Sequence, residues 1–227
     1  MDWLKNKVVV FHVHTRHSFD SLIDPGGMVD ACIRNGVELL IITDHDTIDG
    51  ALAAREYVHD RGFRNFEVII GEEVSTDIGD IIGFPLNVAV PPGDFFTVCG
   101  NIKQQGGLVC LPHPYRSHDL FRIHERDVQD SIDFIETFNS RLNPKFNAYA
   151  EQLRLKFGKF ALAGTDAHIK SDLCRVPFKL DDQMKMQMVR KGLTPKRNLR
   201  MSQGIGSWRK RAYLDIPKYI FLAAFNK

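Results

Sequence analysis

The sequence predicts an α/β protein with a parallel sheet, and three observations carry that expectation. Short, almost wholly apolar runs recur along the 227 residues, as strands buried on both faces require. Segments with helical start and stop signals separate them. Six of the runs are followed at once by His, Asp or Glu, the arrangement expected where parallel strands open their carboxyl ends on one face.

The first run is Val8–Phe11, followed by a helix that Asp24-Pro25 starts and Gly36 closes, a cap with proline at the first turn. Glu38–Thr43 is the second strand, and an Ala-rich helix runs from Thr47, where Asp46 serves as its cap, to Arg61-Gly62. Phe66–Ile70, the Gly-bounded Ile81–Phe84, Gly107–Leu111 and Ile132–Ile135 follow as strands. Asn143-Pro144 repeats the cap-plus-proline signal, and Phe146, Tyr149, Leu153 and Phe157 keep helical spacing up to Gly158. Phe160–Ala163 makes the seventh strand. Strands alternating with helices give the parallel α/β class.

Composition excludes several classes. Hydrophobic residues are 44% and charged residues 26%, the balance of a soluble globular domain. No run approaches 18 apolar residues, so no membrane-spanning helix is expected. Met1–Lys7 lacks the apolar stretch of a signal peptide. The four Cys, at 32, 99, 110 and 174, form no C-x-x-C pair. A thiolate zinc ribbon is thereby excluded, and reduced, buried thiols of a cytoplasmic protein are expected. Net charge is +2, but Gln183–Lys227 holds eleven Lys/Arg against Asp215. That stretch is +10 and residues 1–182 are −8. An acidic body with a basic tail leaves polyanion contact open for the tail.

The strand ends carry the chemistry. In order they present His12 and His14; Asp44, His45 and Asp46; Glu72 and Glu73; His113; Glu136 and Asn139; and Asp166 and His168. His12-x-His14 directs two imidazoles to one side of an extended strand, which suits one metal ion. Each piece alone has an ordinary reading as a cap, a turn or a solvated edge. Placement of all of them at one catalytic face is the argument for a site.

These motifs also resemble the PHP family, named for polymerase and histidinol phosphatase. HVHTRHSFDS (12–21), TDHDT (43–47), GEEVS (71–75), PHP (112–114) and GTDAH (164–168) occur in that family's order. The resemblance covers residues 8 to about 175. It implies a distorted, TIM-like (β/α)7 barrel over residues 1–175, with 176–227 as a basic C-terminal extension. It further implies two or three divalent ions, Zn, Mn or Fe, and hydrolysis of phosphate esters. By resemblance, His12, His14 and Asp166 hold a first ion, and Glu73 bridges to a second held with His113. Asp20, His45 and His168 hold a third. Glu73, Asp166 and His168 are the residues assigned to the catalytic step. The family often reads Ser-Asp-Gly after its first motif, whereas Ser18-Phe19-Asp20-Ser21 is one residue longer.

Imidazole and carboxylate donors without thiolates suit Zn, Mn or Fe. Paired divalent ions supply hydroxide at neutral pH and clamp phosphoryl oxygens, so no Ser or Cys nucleophile is required. Ser18 is read as a turn residue. Arg116 is either a bidentate phosphate clamp or a surface loop residue. His17 is a substrate contact, a proton donor to the leaving group, or a structural neighbour of the ligands. Glu136 and Asn139 are expected to position loops at the mouth, and His59, His118 and His124 to be ordinary polar residues. The expected partner is a small phosphorylated substrate. The alternatives are a nuclease that grips nucleic acid through the basic extension, and a metal-binding module without turnover.

Overall fold

The computed structural model describes residues 1–114 and 125–189. Along them run β1 (Val9–Val13), α1 (Pro25–Arg34), β2 (Leu39–Ile42), α2 (Asp49–Asp60), β3 (Glu67–Ile70), β4 (Glu72–Val74) and β5 (Ile81–Phe84). There follow α3 (Phe95–Gln104), β6 (Leu108–Leu111), α4 (Glu125–Ser131), β7 (Phe134–Asn139), α5 (Pro144–Phe157), β8 (Phe160–Ala167), β9 (Phe178–Leu180) and β10 (Met186–Met188). The seven strands expected from the apolar runs are all present.

Eight of these strands form a nearly closed barrel in the order β3-β2-β1-β8-β7-β6-β5-β4. The β1–β2, β2–β3, β1–β8, β7–β8 and β6–β7 pairs are parallel. The distortion lies at β5, which runs antiparallel to both β4 and β6. Backbone bonds draw the two open ends together: Glu73 N donates to Asp44 O at 3.1 Å, and Leu86 N to Ile70 O at 2.9 Å.

Two apolar layers hold the barrel. Val9, Phe11, Leu39, Ile41, Ile82, Phe84, Cys110, Phe134, Leu162 and Phe178 come from seven strands and fill the lumen. Val10, Val13, Leu40, Ile42, Val109 and Ile135 point outward against Met28, Val29, Cys32, Ala51, Val98, Ile102 and Leu153 of the helices. Each fully buried Phe of the lumen contributes roughly 1.5–3 kcal/mol.

Local signals account for the helix ends. Asp24 and Asn143 accept from Gly27 N and Lys145 N, with Pro25 and Pro144 in the first turns. Gly158 closes α5 at φ 66°, a left-handed position that glycine adopts without steric cost. The second helix departs from expectation. It starts at Asp49, with Ile48 as an N-cap that offers no side-chain bond. Asp46 instead accepts from Ser75 N at 2.8 Å and Ser75 Oγ at 3.0 Å, tying the end of β2 to β4. Helix α3 was not expected; Asp94 caps it through Thr97 N. Beyond residue 175 the sheet continues, with β9 antiparallel to β1 and β10 antiparallel to β9. The rest of the basic extension lies outside the described residues.

Candidate metal centre

The first strand shows how the backbone aims the site. Val9 and Phe11 face the lumen and Val10 the helices, so regular alternation would turn His12 and His14 outward. A bulge between Phe11 and Val13 breaks the register, and His12 takes φ 59°. Both imidazoles are thereby brought to the centre, where each is fully buried. Bulges re-aim side chains in this way beside functional sites. The sequence reading placed the two rings together by strand alternation; the bulge is the physical cause. His113 and Asp166 likewise have φ of 25° and 51°, a region that non-glycine residues occupy at an energetic cost.

Glu73 is the hub. Its Oε2 lies 3.1 Å from His12 Nε2, 3.3 Å from His14 Nε2 and 3.6 Å from His45 Nε2. Its Oε1 is 2.9 Å from His113 Nε2. Asp166 Oδ1 is 3.8 Å from His12 Nε2 and 3.7 Å from His14 Nε2. Asp20 Oδ2 is 2.6 Å from His168 Nε2 and 3.7 Å from His45 Nε2. Glu72 faces elsewhere, accepting from Val90 N at 2.7 Å.

Four groups of donor atoms, each within 4.8 Å of one another, have the spacing to hold a cation: His14, Asp20, His45 and His168; His12, His14 and Glu73; His12, His113 and Asp166; and Glu73, Asp80 and His113. Every ligand candidate from the sequence falls in at least one group. Asp80 is an addition. It follows Gly79 in the β4–β5 turn, outside any recognised motif. Its partly buried position beside Glu73 is created by that antiparallel turn.

The residues present fit divalent cations. Neither ring nitrogen of buried His14 has a hydrogen-bond partner among the described residues, an expensive arrangement for a polar group without a ligand. His12 Nδ1 donates to Glu136 Oε1 at 2.7 Å, which turns Nε2 toward the centre, where a cation would take the place of its proton. Metal-binding histidines are commonly oriented by such a carboxylate. Glu136 Oε2 accepts from His113 N at 2.6 Å and from Asn139 Nδ2 at 3.0 Å. Glu136 and Asn139 are therefore buried beneath the centre, a correction to the expectation that they position loops at its mouth. A Cβ on Gly164 would lie 1.5 Å from Glu136 Oε1, so glycine is what gives Glu136 its place.

Electrostatics follow the packing. Burial opposes charge on Glu73, but His45, His12 and His113 outweigh it and hold the carboxyl well below its usual range. Burial would lower His12, yet Glu136, Glu73 and Asp166 raise it well above its ordinary value. His14 is pushed well down by burial and by its neighbours His168 and His45. Burial raises Asp80, and the Glu73 charge adds to the rise. A cluster of carboxylates around imidazoles in both directions of shift is a functional-site signature.

The surrounding residues are sorted by the same geometry. Ser18 Oγ donates to Asp20 Oδ1 at 3.0 Å and accepts from His45 N at 3.2 Å, so this turn residue ties two ligand candidates together. Asp44 is buried and accepts from Thr15 Oγ1 at 2.7 Å. A Cβ on Gly50 would meet Asp44 Oδ2 at 1.9 Å. His17 is exposed, its backbone N–H donating to Thr15 Oγ1 at 3.2 Å. Arg141, which the sequence reading missed, is 4% exposed with Nη1 3.2 Å from Asp166 Oδ1 and 2.5 Å from His168 Nδ1. Its signal was a lone Arg two residues beyond Asn139. Arg116, His118 and His124 lie outside the described residues.

A barrel that gathers imidazoles and carboxylates at the carboxyl ends of its strands defines a TIM-like protein with a candidate multinuclear metal centre. The chain belongs to the PHP domain family, whose model matches residues 11–174. It is 34% identical over 140 residues to an uncharacterized protein of Methanocaldococcus jannaschii, covering 57% of this chain and 80% of that one. Among solved structures it resembles a two-domain Bacteroides vulgatus protein containing a predicted PHP-like metal-dependent phosphoesterase. That match has TM-score 0.60 and 19% identity, over 71% of this chain and 52% of that one. This chain thus corresponds to about half the length of that protein. A "putative metal-dependent phosphoesterase" of Bifidobacterium adolescentis matches with TM-score 0.58 and 14% identity, over 90% of this chain and 96% of the other. At these identities the two structures show the fold.

Proposed function

We propose that this chain is a metal-dependent phosphoesterase that hydrolyses small phosphate monoesters. The observation that supports it most is Glu73 reaching four imidazoles through its two oxygens, at 2.9–3.6 Å. One carboxylate so shared has the form of a bridge between adjacent cation sites. His12, His14 and Asp166 would hold one ion, Glu73, His113 and Asp80 a second, and Asp20, His45 and His168 a third. Zn, Mn or Fe suits this mixed donor set. When bound, such ions provide a nucleophile from water at neutral pH and neutralise phosphoryl charge.

The chain's own residues do the rest. Glu136 holds His12 in one tautomer, and Ser18 fixes the Asp20–His45 spacing. Arg141 places a fixed positive charge beside Asp166 and His168. Asp20 and His45 are the solvent-facing donors, at 16% and 14% exposure; the other six of the original eight are at most 4% exposed. His17, exposed in the loop after β1, would contact the substrate. The four cysteines are buried and form no disulfide among the described residues, which fits a reducing cytoplasmic setting. No helix among the described residues is long and apolar enough to cross a membrane.

Turnover on a panel of phosphate monoesters, phosphodiesters and oligonucleotides, with Mn or Zn added and with chelator, tests the reading. Metal-dependent release of phosphate from a monoester is expected. Preference for oligonucleotides would favour the nuclease alternative, and no hydrolysis of any ester would favour a non-catalytic module.

A further inference from the structure

The β1–β2 ladder ends at Val13 and Ile42, with Thr43 N donating to Val13 O at 3.0 Å. Beyond that bond the side chain of Asp44 joins the two chains. Asp44 is fully buried, and both its oxygens go to Thr15. Oδ1 accepts from Thr15 N at 2.5 Å, and Oδ2 from Thr15 Oγ1 at 2.7 Å. Helix α2 is fitted to this pair: a Cβ on Gly50, in its first turn, would meet Asp44 Oδ2 at 1.9 Å and Thr15 Oγ1 at 2.1 Å. The contacts close a ring. Thr15 O accepts from Ser18 N at 3.0 Å, Ser18 Oγ accepts from His45 N at 3.2 Å, and His45 follows Asp44. Three donors of the His14, Asp20, His45 and His168 group adjoin this ring. His14 precedes Thr15, His45 belongs to the ring, and Asp20 Oδ1 accepts from Ser18 Oγ at 3.0 Å. The His14 and His45 rings stack, with centroids 4.7 Å apart and planes at 20°.

Withdrawing a carboxylate from water is costly even when it is hydrogen-bonded, and an apolar pair would join two strands at lower cost. We infer that Asp44 is a positioning residue: acting through Thr15 and Ser18, it holds His45 and Asp20 against His14 and so sets the cation affinity of their group. The Asp44 backbone has a separate duty, its O accepting from Glu73 N at 3.1 Å. Changing the side chain leaves that bond available, and His14 keeps its own anchor in β8, its N–H donating to Ala167 O at 3.0 Å. The groups that contain Glu73 should therefore respond less. The inference rests on the third cation site of the proposed function and adds the residue that controls its strength. It does not depend on which ester is hydrolysed.

The test is equilibrium binding of Mn2+ to the full chain after treatment with chelator. Asp20→Asn identifies the binding event that belongs to this group, because Asp20 occurs in none of the other three. Thr15→Val keeps the shape of the side chain and removes the hydroxyl that donates to Asp44 Oδ2. It should weaken that same event about 10-fold, the lower range for partners that orient metal ligands, and leave the other events near wild type. Thr15→Ser retains the hydroxyl and should restore the affinity. Thermal melts report whether each variant is folded. Should Thr15→Val unfold, Asp44→Asn takes its place: the amide oxygen still accepts from Thr15 N, while the amide NH2 cannot accept the hydroxyl proton, so the same selective weakening is expected. Equal weakening of every event, no weakening of any, or a Thr15→Ser variant as weak as Thr15→Val overturns the inference. Unfolding of both Thr15→Val and Asp44→Asn overturns it too, making the pair a support for the fold. A wild-type chain with no event that Asp20→Asn removes overturns the third site and the inference with it. If the selective weakening is seen and no ester is hydrolysed, the phosphoesterase reading fails alone.

Discussion

Glu136 and His12 form a buried pair, Oε1 to Nδ1 at 2.7 Å, on β7 and β1, which are not neighbours in the sheet. Strand β8 lies between them, and its Gly164 provides the gap through which they touch. The pair fixes which nitrogen of His12 faces Glu73. Replacing Glu136 by Gln sets an amide NH2 against at least one of three donors, His12 Nδ1–H, His113 N–H or Asn139 Nδ2–H. The expected result is a metal affinity lowered about 10–100-fold, measured by competition with a chromophoric chelator. Unchanged affinity would mean that His12 is not a ligand.

Two glycine substitutions should move stability in opposite directions. Gly164→Ala drives a methyl to 1.5 Å from Glu136 Oε1, so thermal unfolding should come earlier and metal should be lost. Gly100→Ala has nothing within 4 Å of the new Cβ and lies inside α3. It should stabilise the fold by about 1 kcal/mol through helix propensity. Calorimetric melts of the two variants check both signs.

The choice between adjacent acids is equally sharp. Glu73→Gln should abolish most turnover and lower metal content together, because the amide cannot bridge cations with two anionic oxygens. Glu72→Gln should retain metal, since Glu72 bonds Val90 N and leaves the centre alone. Parallel elemental analysis and turnover of the two variants decide the register.

Glu72 also gives a pH prediction. Burial pushes its carboxyl up to about 7, against a hydrogen bond from Val90 N that favours the charged form. A carboxyl raised in the folded state binds protons that the unfolded chain has released. Its contribution is therefore full below about pH 4.5 and is lost as pH rises toward 7. Glu72→Gln should flatten the decline of stability across that window. Denaturant midpoints at several pH values, compared with wild type, test it; identical pH profiles would contradict it.

Much of this was legible from the sequence because apolar runs and the charged residues that end them are local signals. Val8–Phe11 with His12 and His14, Glu38–Thr43 with His45, and Phe160–Ala163 with Asp166 and His168 each read as strand plus site. What escaped is non-local. Asp80 reaches Glu73 because β5 turns antiparallel, a topology that Ile81–Phe84 does not announce. The bulge at His12 has no residue signature, as neither Phe11 nor Val13 is unusual in a regular strand. Glu136 was visible at a strand end, but its depth depends on Gly164, 28 residues later. Asp46 looked like a helix cap because Thr47 follows it, while Ser75, just past the end of β4, donates to its carboxylate.

The central claim is a multinuclear centre bridged by Glu73. Elemental analysis of the purified chain, after reconstitution with Mn or Zn and removal of free metal, tests it most directly. More than one divalent ion per chain is expected in the wild type, with a reduced count in Glu73→Gln. A stoichiometry of one or none in the wild type, or a count that Glu73→Gln leaves unchanged, would contradict the account.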